Sequence, residues 1–309
     1  MKKIFILVFL ISSLFGAKII DPISQYVSSG AVVDLLFKDN KLYSATDASC
    51  VDIFDFETKE IIQKITVSQI TDFMGDTIDS KVYSVDVIGE KILVLSQAQK
   101  GARRVHIYEN GKLELVLPYT DKLFIAKARF LDSDNILLGL LSSEIISYNI
   151  KTKKQNYRIQ VSQSKFSNFV LNESKDEVII ADESGDLKIH KTKDGSFIKE
   201  LSGQNLDNVF QVDTKKGIIA TAGQDRRVVI YAPQFKSSYY ETAKFLIYSV
   251  GLSPSGKRVA YASDEKNNVT VFNTITKKKL GVFGGNKMTL SNIILSMKMS
   301  FLAQVMIKQ

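Results

Sequence analysis

Residues 218–231 read Ile218-Ile219-Ala220-Thr221-Ala222-Gly223-Gln224-Asp225-Arg226-Arg227-Val228-Val229-Ile230-Tyr231. A small apolar run breaks at Gly223–Arg226 and resumes as a β-branched run that ends in an aromatic residue. Gly and Asp tolerate or stabilise turn geometry, and β-branched residues suit a pleated surface, so the stretch predicts two strands joined by a tight turn. The same ending recurs in Val51-Asp52-Ile53-Phe54, Val105-His106-Ile107-Tyr108, Ile145-Ile146-Ser147-Tyr148, Leu187-Lys188-Ile189-His190 and Val269-Thr270-Val271-Phe272. The final residues of the six runs lie 54, 40, 42, 41 and 41 positions apart.

A period of about 40–45 residues with four strands in each unit is the signature of a propeller blade. The fourth unit shows the plan. Strand-like runs Ser167–Leu171, Glu177–Ala181, Leu187–Lys191 and Ser196–Leu201 are separated by the turns 172–176, 182–186 and 193–195. The sixth repeats it, with Ser253–Lys257 before Arg258–Ala262 and Asp264–Asn268 before Val269–Phe272. Continuous apolar second runs, Ile136–Leu141 and Gly217–Ala222, suit strands covered on both faces. The gap of 54 is accounted for by an insertion at Thr66–Ser80, and helical periodicity is absent after residue 17. The 292 residues that follow position 17 hold about seven units, or six with a partial one. The last is short of a blade: Ser300–Ala303 begins a strand, and 304–309 carry no Asp-Gly turn, as a frameshift or truncation would leave it. The segment Lys18–Tyr26 is expected to close the ring by supplying a strand from the other end.

Phrases such as Ala220-Thr221-Ala222-Gly223-Gln224-Asp225 and Ala181-Asp182-Glu183-Ser184-Gly185-Asp186 resemble WD40 repeats over about residues 27–300. The usual Trp is replaced by Phe54, Tyr108, Tyr148, His190, Tyr231 or Phe272, the Asp that follows survives as Asp55, and the Gly-His pair is missing. Asp225 is therefore expected to satisfy its own turn rather than a buried tetrad. The fold class expected is all-β: a seven-bladed, or six-plus-partial, WD40-like propeller occupying 18–309.

Lys2 and Lys3 followed by the apolar run Ile4–Leu14 and small Gly16-Ala17 read as a cleaved signal peptide over 1–17. No Cys follows that run, so a lipid anchor is not expected, and the address read is a periplasm. The net charge is +8, two of it from Lys2 and Lys3. The remainder is spread over lysine-rich turns such as 151–154 and 277–279, which favours solubility over nucleic-acid binding.

With 309 residues but one Cys, two His and no Trp, the chain lacks the ligands for a His/Cys metal cage and the tryptophans of quinone-docking propellers. No catalytic residue, cofactor or metal is expected. His106, His190 and Cys50 read as packing residues, and Asp182–Asp186 as an Asx-turn before a calcium site. The Arg pairs Arg103-Arg104 and Arg226-Arg227 fall at matching turns of two units. They are the candidate partner-binding residues, since guanidinium groups recognise carboxylates. The chain is similar to NapL-type accessory proteins of periplasmic nitrate reductase systems. That resemblance implies a non-catalytic scaffold serving reductase assembly or electron supply, with a reductase subunit as partner. The alternatives are an outer-membrane-assembly scaffold and, less favoured, a propeller enzyme.

Overall fold

The computed structural model describes residues 19–232, 237–296 and 301–303. Six four-stranded antiparallel sheets follow one another along these residues, at 32–66, 82–117, 125–160, 166–201, 209–242 and 250–283. Helix is confined there to two single 3-10 turns, Gln99–Gly101 and Tyr119–Asp121. Each sheet is a meander whose first strand lies innermost, so successive inner strands pack side by side: Val32–Lys38, Val82–Ile88, Ile125–Phe130, Phe166–Leu171, Val209–Lys215 and Val250–Leu252. This is a six-bladed propeller.

The alternation of the strands explains the stacking. In blade three, Ile136, Leu138 and Leu140 face blade two together with Leu93, Leu95 and Val105, while Leu137 and Ile145 face Phe166 and Phe169 of blade four. A central strand must be apolar on both sides because a sheet covers each. Corresponding clusters fill the spaces between blades one and two, four and five, and five and six. The aromatic residues that marked the sequence period end the third strands: Phe54, Tyr148, Tyr231 and Phe272 are buried, and Tyr108 partly so.

The expectation of a seven-bladed ring is corrected to six blades. Ile293–Leu295 pairs with Phe301–Ala303 as a two-stranded sheet, which packs against blade six through Ala260, Ala262, Val269 and Val271. Gly251 allows this approach, because a Cβ there would meet the Ile293 carbonyl oxygen at 2.3 Å. The closing strand is also corrected. Among the described residues of that segment, strand is confined to Ile19–Ile20, which adds to the outer strand of blade six in parallel, as a fifth strand. Beyond it, Tyr26 stacks on Phe56 and donates to the Phe56 carbonyl at 2.7 Å, and Ser29 donates from its amide and hydroxyl to Asp52. The segment 19–30 thus ties blade six to blade one. At the other end, the Asn292 amide donates to the Val33 carbonyl at 3.2 Å. The signal-peptide reading of 1–17 and the reading of 304–309 fall outside the described residues.

Candidate partner-binding face

In a meander blade, the turn between second and third strands and the connection to the next blade leave from the same end. The first-to-second and third-to-fourth turns leave from the other. The propeller therefore has two faces of different sequence. The first carries nearly all the apolar side chains exposed in turns: Phe73, Met74 and Ile78 in the insertion, Tyr119 and Phe124 before blade three, Leu141, Leu206 and Met288. The opposite face is built from Lys, Asp, Asn and Gly turns such as 39–40, 151–153 and 216–217. Among the described residues its blade turns expose one large apolar side chain, Ile275, and the linking segment 19–30 exposes Ile23 and Val27. Isolated exposed apolar residues are ordinary, but their gathering on one face is the mark of a surface meant to be covered.

The insertion contains a small hairpin, Ile70–Thr71 paired with Thr77–Ile78, that stands on the apolar face. Its tip, Asp72-Phe73-Met74-Gly75-Asp76, leaves Phe73 95% and Met74 72% exposed. The sequence reading treated this segment as spacer. The signal it missed was Phe-Met in a turn position, where Asp, Asn and Gly are the residues with a structural reason to occur.

Both Arg pairs reach the same face, at equivalent positions of blades two and five, but three of the four guanidinium groups already contact the fold. Arg103 stacks over Tyr83 at 3.9 Å and donates to the carbonyls of Gly101 and Ala102. Arg104 donates to Ser96 and Ser80 hydroxyls and to the Ser68 carbonyl, which fastens the base of the hairpin to blade two. Arg227 stacks over Tyr240 at 4.0 Å and donates to the Gln204 carbonyl at 2.7 Å. Arg226 sits at φ +63° in the turn with its side chain exposed. The fold thus holds three of these guanidinium groups against itself and leaves Arg226 facing solvent.

The axial channel holds a charged network that sequence reading did not find. Asp34 of blade one pairs with Arg129 of blade three at 2.9 Å, and Lys127 donates to Asn168 of blade four at 2.8 Å. Burial, reinforced by the Arg129 charge, pushes Lys127 down to about 7, against the pull of Asp34, Asp213 and Asp86. The same inner-strand positions staple neighbouring blades. Asp34 accepts the Val85 N–H, Ser84 that of Ala128, Asp86 that of Phe130, Gln211 that of Val250 and Asp213 that of Leu252. An innermost strand has an unpaired edge, and these side chains satisfy it.

The remaining candidates lie apart from this face's exposed side chains or within its turns. His190 Nδ1 lies 2.8 Å from the Gly195 carbonyl, and burial beside Arg104 pushes His106 down to about 4. Cys50 is buried with its thiol raised by burial. Asp182 accepts the Ser184 N–H at 2.8 Å in an Asx-turn and pairs with Lys188. Asp225 accepts the Arg227 N–H of its own turn, as expected, and also the Leu206 N–H of the preceding connection. Among the described residues no three His, Cys, Asp or Glu converge as metal ligands, and no helix is long and apolar enough to cross a membrane. No family model and no curated protein matches the chain.

Proposed function

We propose that this chain is a non-catalytic protein-interaction scaffold, exported to a periplasm, that docks its partner on the face bearing the insertion hairpin. The observation that carries the reading is the sorting of exposed apolar side chains: Phe73, Met74, Tyr119, Phe124, Leu206 and Met288 share one face, while the blade turns of the other expose Ile275. Interfaces differ from ordinary surface in having aromatic and Met side chains at their centre, and this face offers Phe73, Tyr119 and Phe124 together with Met74 and Met288. The finer reading, an accessory factor for a periplasmic nitrate reductase with WD40-like blades, rests on the sequence resemblance and on the Lys2-Lys3 and Ile4–Leu14 pattern.

Crosslinking in periplasm, followed by affinity purification of the full chain, tests both levels. Co-purification of a reductase subunit is the expected result. Recovery of outer-membrane assembly factors instead would replace the partner assignment, and a stoichiometric metal ion in the purified protein would overturn the non-catalytic reading.

A further inference from the structure

The insertion hairpin is organised from within. The Asp72 carboxylate accepts the N–H groups of Met74 at 2.8 Å and Asp76 at 3.0 Å, and the Asp72 N–H reaches the Asp76 carbonyl at 2.9 Å. Gly75, at φ +95°, completes the turn. These bonds fix the backbone that carries Phe73 and Met74 outward, although neither side chain packs on the protein. The base is equally fixed. Ile70 is buried, Arg104 holds the Ser68 carbonyl, and Asp79 accepts from Ser49 at 2.9 Å and Gln69 at 3.0 Å.

A turn built so tightly around two solvent-exposed apolar side chains has no internal purpose for them. Its order does lower the entropy lost when those side chains are bound. An aromatic anchor beside an adaptable Met is the usual composition of an interface centre. Charge narrows the occupant. Residues 65–80 contain Asp72, Asp76 and Asp79 and no Lys or Arg, in a chain with 41 basic and 33 acidic residues. An anionic membrane surface would repel that segment, whereas basic side chains would complement it.

We propose that the hairpin 70–78 is a plug that seats Phe73 and Met74 in an apolar pocket of a protein partner whose rim carries Lys or Arg side chains facing Asp72 and Asp76. The inference rests on the scaffold reading and deepens it by naming the contact.

The test places the photoreactive residue p-benzoylphenylalanine at position 73 of the full chain, and separately at positions 206 and 288, in the native cells. The partner trapped at 73 is identified, purified and titrated with wild type, with the double variant Phe73→Ser/Met74→Ser and with Asp76→Lys. All five side chains at these positions are exposed, so unchanged circular dichroism is expected in every case. Affinity should fall at least about tenfold in the double variant and several-fold in Asp76→Lys, and wild-type binding should weaken as salt rises. Unchanged affinity of the double variant overturns the plug. So does an adduct consisting of a second copy of this chain, and so does sedimentation with phosphatidylglycerol vesicles that depends on Phe73. Adducts from 206 or 288 but none from 73 overturn the plug and leave the scaffold standing; adducts from none of the three overturn both.

Discussion

The Asp86 carboxylate of blade two accepts the backbone N–H of Phe130 in blade three at 2.7 Å, and its other oxygen accepts the Val87 N–H at 2.9 Å. One side chain therefore closes a gap that no sheet can reach, since Phe130 lies on an innermost strand with its edge toward the channel. Asp86→Ala leaves a buried donor without an acceptor and should cost about 1–3 kcal/mol. Asp86→Asn keeps an acceptor and should cost less. Urea midpoints measure both; an alanine variant within about 0.5 kcal/mol of wild type would show that the staple contributes nothing.

Lys127 gives the channel a pH signature. Its folded-state value of about 7 lies below the ordinary 10.5, so between those limits the unfolded chain binds more protons than the folded one. Stability should then rise with pH across that window and be flat with respect to this group below it. Lys127→Met should reduce the rise, leaving the smaller contribution of Lys175, which burial also lowers. Urea unfolding at pH 7 and pH 9.5, compared between wild type and variant, reads the difference; equal slopes would mean that the ammonium is solvated in the channel.

The blade period was legible because burial on both faces of a central strand forces runs such as Val178–Ala181 and Val228–Tyr231, and because turns demand Gly, Asp and Asn. The boundaries of blade four agree with the sequence reading to within one residue. Blade count was not legible: Ile293–Leu295 reads as a strand in isolation, and whether it completes a blade depends on partners elsewhere. The parallel pairing of Ile19–Ile20 is a tertiary choice with no local code. The channel staples join blades 39 to 51 residues apart, and an inward Asp cannot be told from a solvated one by a period-two pattern. The matching turns of the Arg pairs were legible, yet the stacking of Arg103 on Tyr83 and Arg227 on Tyr240 involves another strand in each blade.

Three of the Arg positions, Arg104, Arg226 and Arg227, should therefore separate by experiment. Arg104→Ala removes donors to Ser96, Ser80 and the Ser68 carbonyl, and should lower stability by about 1–2 kcal/mol. It should also speed proteolysis within 66–80. Arg227→Ala loses the Tyr240 stack and the Gln204 contact and should fall in the same range. Arg226→Ala should stay within about 0.5 kcal/mol, because its side chain is exposed. Thermal melts and limited trypsin digestion distinguish these outcomes. A destabilised Arg226→Ala would show that its guanidinium packs on the fold.

Gly251 controls how the two-stranded sheet meets blade six. Adding a methyl group there brings a carbon to 2.3 Å from the Ile293 carbonyl oxygen, which is backbone and cannot rotate away. In Gly251→Ala the strand Ile293–Leu295 must therefore withdraw, opening the cluster it shares with Ala260, Ala262 and Val271. Overpacking of this kind costs about 1–3 kcal/mol. The loss should be local. Hydrogen–deuterium exchange should quicken in 290–295 and along the Val250–Leu252 strand, while blades two to four keep their protection. Uniform loss of protection would mean instead that this contact holds the whole ring, because the two-stranded sheet bridges Gly251 on one side and, through Asn292, the Val33 carbonyl of blade one on the other.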